Sequence, residues 1–189
     1  MTYATYPSLR DRVVFISGGS SGIGAELVRA FSQQGAKVAF CGTKVDGGQA
    51  VIDEVSAAGR FAPWYAACDV RDVVAYQALL KRVGNEVGPV RVLVNNAGRD
   101  DRHAMEMVTP ELWDDRLALN LKHYFFAIQA TAPGMAAAGA PITGVPGNVV
   151  EEPTIEVVII TAPTAGASLT ERVVLPVVGA LRTACIEGV

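Results

Sequence analysis

From residue 11 to about 137, short apolar runs alternate with longer stretches in which apolar residues recur every three or four positions. The runs near 12–17, 36–41, 63–68 and 90–95 predict strands, and Ala25 to Gln34, Gly47 to Ala58 and Asp72 to Val87 predict helices between them. In the first helix Leu27 and Phe31, flanked by Val28 and Ala30, form one stripe. In the third, Val73, Tyr76, Leu79, Leu80 and Val83 form another. Gly35 and Gly59 stand where helix C-caps are wanted, and Asp72 is placed to cap the third helix. A fourth helix is predicted from near Pro110 and a long one over about Leu119 to Ala137, with Tyr124, Phe125, Phe126 and Ile128 as core or subunit-contact positions. Strand and helix in alternation imply βαβ units, hence an α/β fold: a Rossmann-type, doubly wound parallel sheet in a single domain covering residues 1–189.

The periodicity fades after that. Pro133 to Gly147 is rich in Ala, Gly and Pro and reads as a helix end followed by a long loop. Ile155 to Thr161 is strand-like, and the Val-rich stretch Ser168 to Gly188, interrupted by Pro176, favours neither helix nor strand.

The 189 residues, half of them apolar, suffice for one well-buried core. A formal net charge of -3 supplies no basic field, so neither nucleic acid nor an anionic membrane is expected as a partner. Cys41, Cys68 and Cys185 are odd in number and far apart, which predicts core thiols rather than a disulfide framework or a zinc site. The start MTYATYPSLRDR has no apolar segment of the secretory kind, and no apolar run approaches the ~18 to 20 residues of a membrane span. A cytoplasmic protein is the expectation. His103 and His123 lack metal-ligand partners at a fixed spacing and read as solvated, so no metal site is expected.

Candidate chemistry begins directly after the first strand, at Ser17-Gly18-Gly19-Ser20-Ser21-Gly22-Ile23-Gly24. A strand leading into a glycine turn that opens a helix lets backbone approach a pyrophosphate, while the helix N-terminal N–H groups and dipole hold its charge. The Gly-Lys-Ser/Thr of a nucleoside triphosphate loop is absent.

Four motifs in order carry a resemblance. Ser17 to Gly24 is similar to the Thr-Gly-x-x-x-Gly-Ile-Gly cofactor motif of the short-chain dehydrogenase/reductase family, with Ser for Thr. Cys68-Asp69-Val70 resembles its acid at the end of the third strand, Asn95-Asn96-Ala97-Gly98 its Asn-Asn-Ala-Gly after the fourth, and Asn120 its helix asparagine. The resemblance covers about residues 10 to 138. It implies a nicotinamide cofactor held by Ser17, Gly18, Ser20, Ser21, Gly22, Ile23, Gly24, Asp69, Val70, Asn96, Ala97 and Gly98, with Asp69 accepting from the adenine amino group. It implies a catalytic role for Asn120, a small alcohol or carbonyl substrate, and a homodimer or homotetramer paired through the long helix.

NAD-preferring sites usually place a carboxylate at the end of the second strand, against the ribose 2′-OH. Here that strand ends Cys41-Gly42-Thr43-Lys44, with no acid; Lys44 and Thr43 suit a 2′-phosphate, so NADP is favoured over NAD, with Asp46 nearby as the argument against.

The family's proton-handling pair is Tyr-x-x-x-Lys, the lysine lowering the tyrosine pKa from its ordinary value near 10. Four positions after the tyrosines of this chain stand Pro7, Arg10, Asp69, Leu80 and Ile128. After Tyr124 there is no Tyr, Lys, His, Asp or Trp. Counting from Ile155 to Thr161 as a fifth strand, the resemblance puts the pair near Val174 and Val178, with Thr161 or Thr164 in place of the family's serine. Ile155 to Arg172 also resembles the family's sixth strand and following loop, which implies that the segment carrying Ser, Tyr and Lys is missing. Family members run some tens of residues longer. Two readings follow: an NAD(P)-dependent oxidoreductase, or a dinucleotide-binding domain without hydride transfer.

Overall fold

The structure, a computed structural model, describes residues 5–137 together with the strands Ile155–Ile159 and Val174–Leu175. In chain order the elements are β1 Val13–Ser17, α1 Gly22–Gln33, β2 Lys37–Gly42, α2 Val45–Ala57, β3 Trp64–Ala67, α3 Val73–Glu86, β4 Val90–Asn95, α4 Pro110–Leu117, α5 His123–Ala137, β5 Ile155–Ile159 and β6 Val174–Leu175. Strands lie in the order β3-β2-β1-β4-β5-β6.

Every residue of β1 is buried, as a strand covered on both faces requires. Its side chains divide by parity. Val13 and Phe15 join Tyr76, Leu79, Leu80, Val83, Leu93 and Ala127 under α3 and α5. Val14 and Ile16 join Ala25, Val28, Val38, Phe40, Val51 and Val55 under α1 and α2. One sheet therefore carries helices on both faces, as the alternating pattern predicts. Strand order reverses between β1 and β4, and in such sheets ligands enter the crevice beyond the strand ends at that switch point.

Helix ends follow the predicted chemistry. Gly35 and Gly59 terminate α1 and α2 at φ of +82° and +70°, and the Asp72 carboxylate accepts from the Ala75 N–H at 3.0 Å to cap α3. α1 begins at Gly22, three residues ahead of the sequence expectation.

The helix expected from near Pro110 is α4, and the long helix expected over about Leu119 to Ala137 opens instead as a π-helical turn, Ala118–Lys122, that continues into α5. That turn sits where the Asn120 side chain is bonded to a distant backbone segment, an interaction helical periodicity does not encode.

β5 lies beside β4 and parallel to it, pairing Leu93 with Val157 and Asn95 with Ile159, so it takes the fifth position of the sheet. β6 runs antiparallel to β5, pairing Ile155 with Leu175, which makes one edge of the sheet mixed rather than wholly parallel. Val174, where the resemblance puts a tyrosine, is in β6; Thr161, Thr164, Val178 and Cys185 lie outside the described residues.

Candidate nucleotide-binding groove

The loop after β1 is sewn to the loop after β4. Ser17 is fully buried, and its Oγ accepts from the N–H groups of Asn96 at 3.0 Å and Ala97 at 3.1 Å. The Asn96 amide donates to the carbonyls of Ser17 at 3.0 Å and Gly18 at 3.3 Å. The Gly19 N–H donates to the Cys41 carbonyl at 2.9 Å, tying the same loop to β2. Glycine is demanded here by contact: a Cβ on Gly24 would overlap the Gly18 carbonyl and stand 2.6 Å from Asn96 Nδ2, and one on Gly19 would enter the Phe40 ring.

Helix α1 opens from this loop. Asp72 caps α3 and Thr109 caps α4 by side-chain hydrogen bonds, whereas Ser21 makes none to the first turn of α1. That leaves first-turn N–H groups and the positive end of the helix dipole directed at the crevice, the arrangement that holds an anion.

The groove has a volume of about 830 Å³. It is lined by Gly18, Ser21, Ile23 and Gly24 from the glycine loop; Gly42, Thr43 and Lys44 from the end of β2; Cys68 to Arg71 after β3; Asn96 to Asp100 after β4; and Leu119, Asn120 and Tyr124 from the π turn and α5. The structure thus brings Thr43, Lys44, Asp69, Val70, Asn96, Ala97, Gly98 and Asn120 together with the glycine loop. Three residues singled out from the sequence are not on its wall. Ser17 lies beneath it as the loop stitch, Ser20 is buried against Gly42 and Gly47, and a Cβ on Gly22 would meet nothing within 4 Å. A Cβ on Gly42 would overlap Ser20 Oγ, so a side chain at that position requires the serine hydroxyl to turn away. Asp46 belongs to the first turn of α2 and does not line the groove.

Asn120 clamps the loop after β4: its Oδ1 accepts from the Arg99 N–H at 2.8 Å and its Nδ2 donates to the Arg99 carbonyl at 3.0 Å. These two bonds fix the place of that loop. Next to it, His123 is completely buried, contrary to the solvated position expected of it, with Nε2 3.0 Å from the Ala97 carbonyl and its ring edge-on to Tyr76 and Tyr124. Burial lowers its pKa to about 4, so it is neutral at physiological pH. His103 is exposed, as expected. The Tyr124 hydroxyl, read from sequence as core or contact, reaches the groove and donates to the Ala97 carbonyl at 3.4 Å; burial raises its pKa. Among the described residues no cluster of His, Cys, Asp and Glu suits a metal ion, and no helix is long and apolar enough to cross a membrane.

Arg71 is the groove residue that sequence reasoning missed. It holds the Asp69 carboxyl below the usual carboxylate range through side-chain hydrogen bonds and also pairs with Asp115 of α4. An arginine two places after an acid carries no sequence signal of its own. The charged loop Arg99 to His103 is exposed as expected, and Asp101 in it pairs with Arg116 of α4 at 2.8 Å.

Residues 12–151 match the profile of the short chain dehydrogenase family. The chain is 48% identical over 134 residues to a probable galactose dehydrogenase of Rhizobium meliloti, an alignment covering 71% of this chain and 52% of the relative. It is 45% identical over 139 residues to a D-xylose 1-dehydrogenase of Caulobacter vibrioides, covering 74% and 54%. A metagenomic short-chain oxidoreductase solved in complex with NADP superposes with a TM-score of 0.71 at 29% identity, covering 86% of this chain and 67% of that one. A short-chain dehydrogenase/reductase from Serratia marcescens does so with 0.65 at 34% identity, covering 69% and 53%. The chain spans about half the length of the curated relatives it matches. With the glycine loop, the Asn-Asn-Ala-Gly loop and the switch-point groove in one place, and most of its length within the matching profile, the chain belongs to the short chain dehydrogenase family.

Proposed function

We propose that the groove binds a nicotinamide dinucleotide, NADP in preference to NAD, in the service of an oxidoreductase that interconverts an alcohol and a carbonyl compound. The observation that carries this reading is the first turn of α1, uncapped by any side chain and opening onto a groove where Gly24 has no room for a Cβ. When bound, the nucleotide would supply or accept the hydride. Gly18, Ser21, Ile23 and Gly24 would hold its pyrophosphate, Asp69 and Val70 its adenine, and Asn96, Ala97 and Gly98 the floor beneath it. The names of the two sugar dehydrogenases among its relatives support a sugar or similar small polyol as the substrate of the whole enzyme.

Lys44 and Thr43 favour NADP, since both line the groove beside Gly42, which carries no acid. Calorimetric titration is expected to give a lower Kd for NADP than for NAD. Lys44→Ala is expected to weaken NADP by roughly fivefold to tenfold, the worth of one charge-assisted bond, with NAD little changed. Tighter binding of NAD, or an unaltered NADP affinity in the variant, would remove the preference.

A specific observation favours the second reading for this chain taken alone, namely nucleotide binding without turnover: no tyrosine in it is followed by lysine at the fourth position.

Self-association belongs to the same proposal. Trp113, Leu117, Leu121 and Phe125, spaced by four, are 60, 42, 60 and 51% exposed along α4, the π turn and α5. A stripe of this kind suits an isologous contact with a second copy. Light scattering at micromolar concentration is expected to give a dimer or tetramer, shifted toward monomer by Phe125→Asp; a strict monomer of the unmodified chain would refute it. A cytoplasmic location is proposed as well, in keeping with Cys41 as a free, buried thiol whose pKa burial pushes up to about 12.

A further inference from the structure

Arg71 is committed in two directions at once. Toward Asp69, its Nε lies 3.0 Å from both carboxylate oxygens, its Nη2 2.6 Å from Oδ2, and its backbone N–H donates to Oδ1 at 3.0 Å. Toward α4, its Nη1 donates to Asp115 Oδ1 at 2.7 Å. Asp115 is shared with Arg116 at 3.4 Å, and Arg116 reaches Asp101 at 2.8 Å. The guanidinium is therefore anchored from α4 while it grips an acid on the groove wall.

Such a pair adds little to folding. Its side chains are 44 and 37% exposed, and exposed ion pairs contribute weakly. Its geometry matters for recognition. A planar fork bonded to both oxygens stops the carboxylate from rotating and leaves its remaining lone pairs facing one way. An acceptor held in one orientation rejects a ligand that presents another acceptor there, while a rotating one turns away at little cost.

We propose that Arg71 is a positioning residue for base recognition: by clamping Asp69, with Asp115 as its own anchor, it makes the groove prefer adenine, with an exocyclic amino donor, over hypoxanthine, with a carbonyl acceptor at the same place. The assignment rests on the reading of the groove as a dinucleotide site with adenine at Asp69. The cause is local: Asp72 follows on the same loop, but its carboxylate is taken by the Ala75 N–H, and His123 is held neutral by burial.

The test is calorimetric titration of NADP and of its hypoxanthine analogue into the unmodified chain and into Arg71→Gln, Arg71→Lys and Asp115→Asn, each checked for an unchanged thermal melt. The unmodified chain is expected to prefer the adenine form by about tenfold, one charge-assisted hydrogen bond. Arg71→Gln is expected to reduce the ratio to about threefold or less, chiefly by weakening NADP, with Asp115→Asn and Arg71→Lys, which keeps the charge but not the fork, in between. An unchanged ratio in Arg71→Gln, or equal weakening of both dinucleotides, would overturn the assignment. Failure of the unmodified chain to bind either dinucleotide would overturn the cofactor reading itself, and this assignment with it.

Discussion

Alanine at Gly24 is expected to weaken NADP binding by at least about a hundredfold, the equivalent of two charge-assisted bonds to the pyrophosphate. The added Cβ would overlap the carbonyl of Gly18 and crowd the Asn96 amide. Neither neighbour can yield cheaply, because Gly18 is backbone and Asn96 is bonded to both Ser17 and Gly18. The first turn of α1 must move away from the loop, at a cost of about 1–3 kcal/mol for overpacking, and the N–H groups it presents move with it. Gly22 makes the comparison informative. It sits at φ +56°, with open space where a Cβ would stand, so Gly22→Ala is expected to cost about 1–2 kcal/mol of strain and leave the cradle in place. Titration and thermal melts on both variants separate the two effects. Unchanged NADP affinity in Gly24→Ala would mean that the loop is a turn and not a phosphate cradle.

The contrast between these two glycines shows what the sequence could and could not say. The spacing of the loop identified it as a place where backbone can approach a pyrophosphate. The close approach within the protein is at Gly24 and Gly19, set by Asn96 and Phe40, which lie far away in the chain. The strands were legible because Val13 to Ser17 and Phe40 to Gly42 are buried whatever face they point to, and α1 and α3 because their apolar stripes repeat at helical spacing. The π turn was not, since it accompanies a bond between Asn120 and Arg99, 21 residues apart. His123 was misread for a related reason: a polar residue at the start of a helix looks solvated until Tyr76, Tyr124 and the Ala97 carbonyl close around it. Arg71 escaped notice because its second partner, Asp115, is 44 positions further on. The short antiparallel β6 came from a stretch in which no period dominates.

The chain as it stands is expected to exchange hydride with alcohols or carbonyl compounds about 10² to 10⁴-fold more slowly than an enzyme whose proton-transfer groups are in place, that being the contribution of a positioned acid-base pair. Among the described residues, three side chains beside the loop after β4 are the nearest substitutes for the pair, and each is otherwise engaged. Tyr124 is the tyrosine on the groove wall, but its hydroxyl donates to the Ala97 carbonyl and its pKa is raised by burial, the opposite of what proton transfer near neutrality needs. His123 is buried beneath the wall and its pKa is lowered to about 4, so it carries no proton to give at pH 7. The Asn120 side chain does not titrate, and it is held by one donated and one accepted bond to the Arg99 backbone. What survives is proximity, which leaves a residual rate when nucleotide and substrate meet in the groove. The measurement is nucleotide absorbance at high protein concentration over a panel of sugars, alcohols and carbonyl compounds, with Tyr124→Phe and Asn120→Ala in parallel. Slow turnover that neither substitution changes by more than about threefold is the expected result, since removing a working acid-base group costs far more. Brisk turnover abolished by Tyr124→Phe would identify that hydroxyl as the proton donor, and turnover lost only in Asn120→Ala would trace it to the loop that this asparagine holds in place.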